Sequence, residues 1–227
     1  RMQPMAALLN LNDKILLNMR QAQARSTEPD ELLEIWATGI RHLQHLPAHF
    51  PRHLEYPWAL NRLRAIPGLR RAVDVGAGIS PMPVCLAEGG VEVMTFDSSE
   101  TIRIWDNRKG WSAWGYIDYA TRFDRIQSFN ADFEAEALGA PADAVYTVSV
   151  IEHMPHTARL ALWREAAKAL PVGGHMVHTI DLEAGSDRLW NRAEGAQVEP
   201  AAQHGTTETV GRELAEAGRY LIARMLV

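Results

Sequence analysis

Ala72-Val73-Asp74-Val75-Gly76-Ala77-Gly78-Ile79-Ser80-Pro81-Met82 is the stretch whose reading decides the fold. Ala72 to Val75 is a short apolar run suited to a strand. Gly76 and Gly78 turn the chain, and Met82 to Glu88 reads as a helix ended by Gly89-Gly90. Strand, glycine turn and helix in that order bring backbone close to a ligand and offer unpaired N–H groups. The next strand, Val91 to Phe96, runs into Asp97, 19 residues after Gly78. A carboxylate there can accept both hydroxyl hydrogens of a ribose. A glycine pair alone is as easily a tight turn; the strand, helix and Asp97 in register favour a ligand site. The dinucleotide fingerprint wants a third glycine where this chain has Pro81, which suits a first helical turn but not that glycine's packing role.

Outward from this unit the pattern repeats. Ile126 to Ala131, Ala144 to Val150 and His175 to Ile180 read as strands. Thr157 to Leu170 reads as a helix stopped by Pro171 and Gly173-Gly174. Glu208 to Ala217 is a last helix, followed by Gly218 and a strand from Tyr220. Strands alternating with helices predict an α/β fold: a Rossmann-like, doubly wound, mostly parallel sheet with helices on both faces. Residues 70–227 would form this core and residues 1–69 an N-terminal helical cap. In the cap, Leu8, Leu11, Ile15, Leu16 and Met19 predict an amphipathic helix over 5–22. Ser26-Thr27-Glu28-Pro29-Asp30 starts a second helix that carries Leu32, Leu33, Ile35, Trp36, Ile40 and Leu43 until Pro47. A third is expected from Trp58 to Ala65, before Pro67-Gly68. Arg1 ahead of Met2 reads as the remnant of a tag.

In this order the motifs resemble those of the class I S-adenosylmethionine-dependent methyltransferases. Asp74-Val75-Gly76-Ala77-Gly78 matches the family's acid-x-Gly-x-Gly turn, with Ser80 where a third glycine is usual. Asp97 corresponds to the acid closing the second strand, and Asp132 in Asn130-Ala131-Asp132-Phe133 to the acid that commonly binds the adenine amino group. Ser149-Val150-Ile151-Glu152-His153-Met154-Pro155 and Leu170-Pro171-Val172-Gly173-Gly174 are similar to the ends of its fourth strand and fourth crossover. The resemblance implies S-adenosyl-L-methionine as cofactor and S-adenosyl-L-homocysteine as product. It implies Asp74, Gly76, Ala77, Gly78, Ser80, Asp97, Ser98, Asp132, Phe133 and Ser149 as cofactor-binding residues. The family's core usually has a seventh, antiparallel strand, whereas this chain stops at Val227, about where the sixth would end. An unpaired slot in a sheet invites strand exchange or a dimer contact, which a monomer mass independent of concentration would contradict. Some relatives hold a divalent metal through Glu-x-x-Glu-His; here Ser149 occupies the first acid's place, so no metal is expected.

The implied reaction is methyl transfer to an oxygen or nitrogen of a small-molecule acceptor. An RNA or protein methyltransferase, and a non-catalytic cofactor-binding subunit, are the alternatives. His153 follows the end of the fourth strand, where such sheets open their crevice, and is the candidate base; Glu152 beside it could orient the site or bind acceptor. Packing against cofactor is the plain alternative for His153. The long connection from Thr101 to Asp124 carries Trp105, Trp111, Trp114, Tyr116 and Tyr119, and reads equally as an acceptor wall or as core. Trp105, Trp114 and Tyr116 are the acceptor candidates there. Tyr56 and Trp58, in the cap, and Asp181, ending the fifth strand, join them. His42, His45, His49 and His53 have metal-like spacing, but Pro47 and Pro51 interrupt them, so a solvated or hinge-region face is expected. His175 and His178 are an odd number apart on a strand, so only one can reach the crevice. Cys85 reads as a small buried residue.

Composition removes several other options without choosing a function. With 227 residues and 47% hydrophobic content the chain can bury one substantial core. A formal charge of −5 argues against a nucleic-acid partner held through phosphates, although aromatics interleaved with bases in residues 101–124 could stack single-stranded bases. One cysteine excludes an intramolecular disulfide and a Cys-cluster zinc site. The chain contains no apolar run long enough for a membrane span and no signal-peptide core, so a cytoplasmic monomer or homodimer is expected.

Overall fold

Five short apolar runs pair side by side in the computed structural model, which describes residues 20–47, 52–109, 111–190 and 205–217. They are β1 (Arg71–Val75), β2 (Glu92–Phe96), β5 (Ile126–Phe129), β6 (Ala144–Val148) and β7 (His175–Thr179). The sheet order is β5-β2-β1-β6-β7 and every pairing is parallel. Between β2 and β5, β3 (Ile102–Arg103) and β4 (Tyr116–Ile117) pair only with each other, as a parallel two-stranded ribbon. The order reverses between β1 and β6. In such sheets the crossovers on either side of that point diverge and leave a crevice at the strands' C-terminal ends.

Parallel strands need crossovers and are covered on both faces, and the central strands β1, β2 and β6 accordingly bury all but one residue each. Alternate residues feed two cores. Ala72, Val93, Tyr146 and Val177 belong to one, with Leu60 and Leu63 of helix α2 (Arg52–Arg64) and Cys85 and Leu86 of helix α3 (Met82–Glu88). Val73, Val75, Met94, Phe96 and Val145 belong to the other, with Leu162 and Trp163 of helix α4 (His156–Ala169) and Val210 and Leu214 of helix α5 (Thr207–Glu216). Each such buried side chain contributes about 1.5–3 kcal/mol. Helix α1 (Pro29–Thr38) continues into a π-helical turn, Gly39–Leu43, and its Ile35 joins the first core while Leu32 and Trp36 form a small third one.

Several boundaries differ from the expected ones. α2 starts at Arg52 rather than Trp58 and carries Pro57 inside it. Close to the helix start that proline removes a single intrahelical bond, so the chain there is helical despite it. β5 stops at Phe129 and β6 at Val148, two residues early in each case; after β6, Ser149 turns the chain at φ 55. Of the helix expected over 5–22, residues 20–22 are described and helical; the strand from Tyr220 and the sheet position next to it lie outside the described residues. Among the described residues no helix is long and apolar enough to cross a membrane.

Candidate functional site

The glycine turn is tied to β2 before any ligand is considered. Gly76 and Ala77 N–H both donate to the Phe96 carbonyl, at 2.8 and 3.2 Å. Gly76 and Gly78 have φ +72 and +51, where L side chains are strained. A Cβ at Gly76 would lie 2.6 Å from Val150 Cγ2, and one at Gly78 2.3 Å from the Ala113 carbonyl oxygen. Only glycine fits either position. Asp97 fixes the same turn: its Oδ2 accepts from Gly78 N–H and its Oδ1 from Ser99 N–H, both at 2.8 Å. Tyr119 closes the far side, its hydroxyl accepting from Ser80 N–H at 2.8 Å and lying 3.0 Å from the Gly78 carbonyl.

A cavity of about 250 Å³ opens above this turn. Asp74, Gly76, Ala77, Gly78, Ser80, Asp97 and Ser99 line it from β1 and β2; Val148, Ser149, Val150, His153 and Met154 line it from β6. Arg52 and Tyr56 of α2 and Ala113, Trp114 and Gly115 before β4 complete the wall. The cavity thus sits where the strand order reverses.

Its charge is lopsided. Asp74 is 3% exposed, and burial, with the field of Asp97 added, pushes its carboxyl up to about 8, although the nearby Tyr146 hydroxyl pulls it back. The carboxyl ordinarily titrates near 3.8. Between these values the folded protein holds a proton that the unfolded chain has lost, so stability falls as pH rises from about 4 to about 8. Asp74→Asn, neutral throughout, is expected to flatten that fall and to stabilise the ligand-free protein by a few kcal/mol at pH 8.5. Urea titrations at pH 5 and 8.5 check it; an unchanged difference between the two pH values would refute it.

At the other end, Ser149 Oγ donates to Asp181 Oδ2 at 2.8 Å and Ser149 N–H points to Thr179 Oγ1 at 3.2 Å. Thr179 Oγ1 donates in turn to Glu55 Oε1 at 2.7 Å, and Arg52 pairs with the other oxygen of Glu55. These contacts hold Ser149 in a left-handed conformation that ordinarily costs a non-glycine residue about 1 kcal/mol. Glu152 is fully buried on the 3₁₀ turn Ile151–His153; its Oε1 accepts from Asp181 N–H at 3.3 Å and lies 3.9 Å from His153 Nε2. Its Oε2 has no hydrogen-bond partner among the described residues. Burial pushes Glu152 up to about 7, and Asp181 adds to the shift. His153 stands between two indoles, Trp114 at 5.2 Å and Trp190 at 5.7 Å between ring centroids.

The expected site residues divide accordingly. Asp74, Gly76, Ala77, Gly78, Ser80, Asp97, Ser149, His153, Tyr56 and Trp114 meet at the cavity. Glu152 and Asp181 lie directly behind it. Ser98 and Asp132 are exposed outside the lining, and Phe133 is in the second core, edge-on to Phe96 at 5.1 Å. Trp58 packs on the first core. Trp105 is buried and donates to the Asp118 carbonyl at 2.8 Å, and Tyr116 pairs with Ile102 in the ribbon. The aromatic connection is therefore neither wholly a wall nor wholly core: Trp105 and Tyr119 are core, Trp111 packs against it, and Trp114 is left at the cavity. Neither strand-seven histidine reaches the lining. His175 is exposed, and His178 is half-buried against Trp163 of α4, its Nδ1 2.8 Å from Thr147 Oγ1. His42 pairs with Glu88 at 2.9 Å and His53 sits edge-on to Trp36, so these two are engaged rather than solvated; His49 lies outside the described residues. Among the described residues no group of three or more His, Cys, Asp or Glu is placed to hold a metal ion. Sequence reasoning placed Glu55 with Tyr56 as part of a segment covering the cofactor, and missed Arg52 and Ser99. Arg52 and Glu55 share the helix face of Tyr56 at i, i+3, i+4 spacing, a signal hidden by the late start assigned to α2.

A family model described as "Methyltransferase domain" matches residues 48–222. No curated protein sequence matches the chain. Among solved structures, the glycopeptide N-methyltransferase MtfA complexed with S-adenosylmethionine aligns at 18% identity and TM-score 0.49, over 72% of this chain and 82% of its own. The cyclopropane synthase MmaA2 from Mycobacterium tuberculosis aligns at 19% identity and TM-score 0.48, over 78% and 66%. An O-methyltransferase family protein from Burkholderia thailandensis aligns at 13% identity and TM-score 0.45, over 78% and 57%.

Proposed function

The chain belongs to the methyltransferase-domain family, and from that premise we propose that it methylates an oxygen or nitrogen of a small-molecule acceptor, using S-adenosylmethionine. The observation that carries this reading is the single cavity into which the glycine turn, Asp97 and the end of β6 all open. The residues present suit the cofactor. Gly76 and Gly78 leave a cradle that a Cβ would fill. Asp97 spends one lone pair of each oxygen on backbone N–H groups, and a carboxylate with about four such sites keeps others for ribose hydroxyls. Asp74, buried in the lining with no cation among the described residues acting on its carboxyl, suits the cofactor's ammonium. When bound, the sulfonium would supply an electrophilic methyl group to a nucleophile aligned with its C–S bond.

The chain's own residues would then position the acceptor and manage its proton. Tyr56 and Trp114 narrow the cavity to the scale of a small molecule. His153 faces the acceptor space, and buried Glu152, 3.9 Å behind it, can take a proton or hold the ring. Glu152 accepts a proton only as carboxylate, and burial holds it protonated below about 7. At saturating cofactor, kcat/KM for the acceptor is therefore expected to rise with pH through about 7. Glu152→Gln should remove that limb and lower kcat by roughly 10²-fold. A wild-type profile flat from pH 6 to 8 would contradict the role. The function itself is tested by following S-adenosylhomocysteine release over a panel of small alcohols, phenols and amines. Cofactor binding with turnover of RNA or protein only would replace small acceptors by macromolecular ones.

A further inference from the structure

The acceptor end of the cavity is backed by acids. Asp181 and Glu152 lie directly behind the lining residues Ser149 and His153, and Glu55 stands beside them, paired with Arg52, whose charge also reaches Asp181. Among the described residues, neither Asp181 nor Glu152 has a lysine or arginine within ion-pair distance. Among the described residues Glu152 Oε2 is buried without a hydrogen-bond partner, so its side chain keeps capacity to take up a proton. Trp114, 56% exposed at the cavity, and Trp190 flank His153, whose Nε2 is 3.9 Å from Glu152 Oε1. Carboxylates and indole rings are the two groups that attract an organic cation. The cofactor's ammonium does not account for them, because Asp74 would meet it on the β1 side.

Resting on the methyltransferase reading, we propose that the acceptor is an amine that enters as an ammonium ion, seated against Ser149 and His153 with Asp181 and Glu152 behind them and covered by Trp114. An ammonium must lose one proton before its nitrogen lone pair can form the N–C bond. That proton passes to Glu152 through His153, the electron pair of the broken C–S bond stays on sulfur, and one proton leaves to solvent per turnover. The product is the methylated ammonium.

Binding measures this without turnover. Protein saturated with S-adenosylhomocysteine is titrated with matched amines, alcohols and carboxylates on ethyl, hexyl and phenylethyl bodies, following heat and tryptophan fluorescence. In at least one series the amine is expected to bind about tenfold tighter than the alcohol, with no carboxylate binding. Asp181→Asn should abolish that preference, and Trp114→Ala should weaken the amine about fivefold, each measured in protein kept saturated with S-adenosylhomocysteine. Trp114 is exposed, so its variant decides if Asp181→Asn does not fold. Alcohols or carboxylates binding as tightly as amines, or no amine binding to the loaded protein, would overturn the proposal. Failure to bind S-adenosylhomocysteine would instead overturn the reading beneath it.

Discussion

Asp97→Ala is expected to raise the dissociation constant for S-adenosylhomocysteine about a hundredfold while leaving the chain folded. Two losses combine. The carboxylate that would accept ribose hydroxyls disappears, and each hydrogen bond to a charged group is worth roughly 1.5–3 kcal/mol. Gly78 N–H and Ser99 N–H also lose their acceptor, so the turn that shapes the cavity loosens. Asp97→Asn keeps an acceptor oxygen and should fall between wild type and alanine. Asp97 stands beyond the end of β2 and is partly exposed, so little stability depends on it. Calorimetric titration beside a thermal melt separates the two effects. An affinity within threefold of wild type would mean that Asp97 serves the turn and not the ligand.

Glu213→Ala should cost far more stability. Glu213 ties α5 to α4: its Oε2 accepts from Arg159 Nε at 2.8 Å and its Oε1 from Arg159 Nη2 at 2.5 Å, with His156 Nδ1 at 2.8 Å. Arg159 is fully buried. Removing the carboxylate leaves a guanidinium without its counter-charge in the second core, a loss of about 3–5 kcal/mol. Replacing both partners by leucine should recover most of it, because an apolar pair needs no compensation. Burial pushes the Glu213 carboxyl up, but Arg159 and His156 outweigh it and hold it below its usual value. The pair's contribution is therefore present above the unfolded-state pKa near 4.5 and is lost as pH falls through the lower folded value. Urea unfolding of the single and double variants at pH 7 gives the numbers, and a single-variant loss under 1 kcal/mol would refute the account.

The difference between these residues shows what sequence could carry. Gly76, Gly78 and Asp97 are local to one strand–turn–helix–strand unit, so spacing alone brings them together. Ser149 and His153 are legible because the end of a parallel strand near the switch point faces the same crevice. Arg159 and Glu213 are 54 residues apart on two helices, and no local pattern announces their pairing. Ser98 and Ser99 show the limit on the finest scale. Both follow Asp97, but it is Ser99 that donates its N–H to the carboxylate and turns into the cavity. Asp132 fits the motif in sequence, yet β5 ends at Phe129 and the chain leaves the crevice before reaching it. The segment from Thr101 to Asp124 has aromatic density without period, and burial sorted its rings: Trp105 and Tyr119 inward, Trp114 to the cavity.

The central claim is that the cavity over Gly76, Gly78 and Asp97 holds S-adenosylmethionine, and one titration meets it directly. The full chain, titrated calorimetrically with S-adenosylhomocysteine at pH 7.5, is expected to show one site per chain with a roughly micromolar dissociation constant. Asp97→Ala run alongside should lose most of that heat. No binding by the wild-type chain at millimolar ligand, with the protein folded by its thermal melt, would contradict the account.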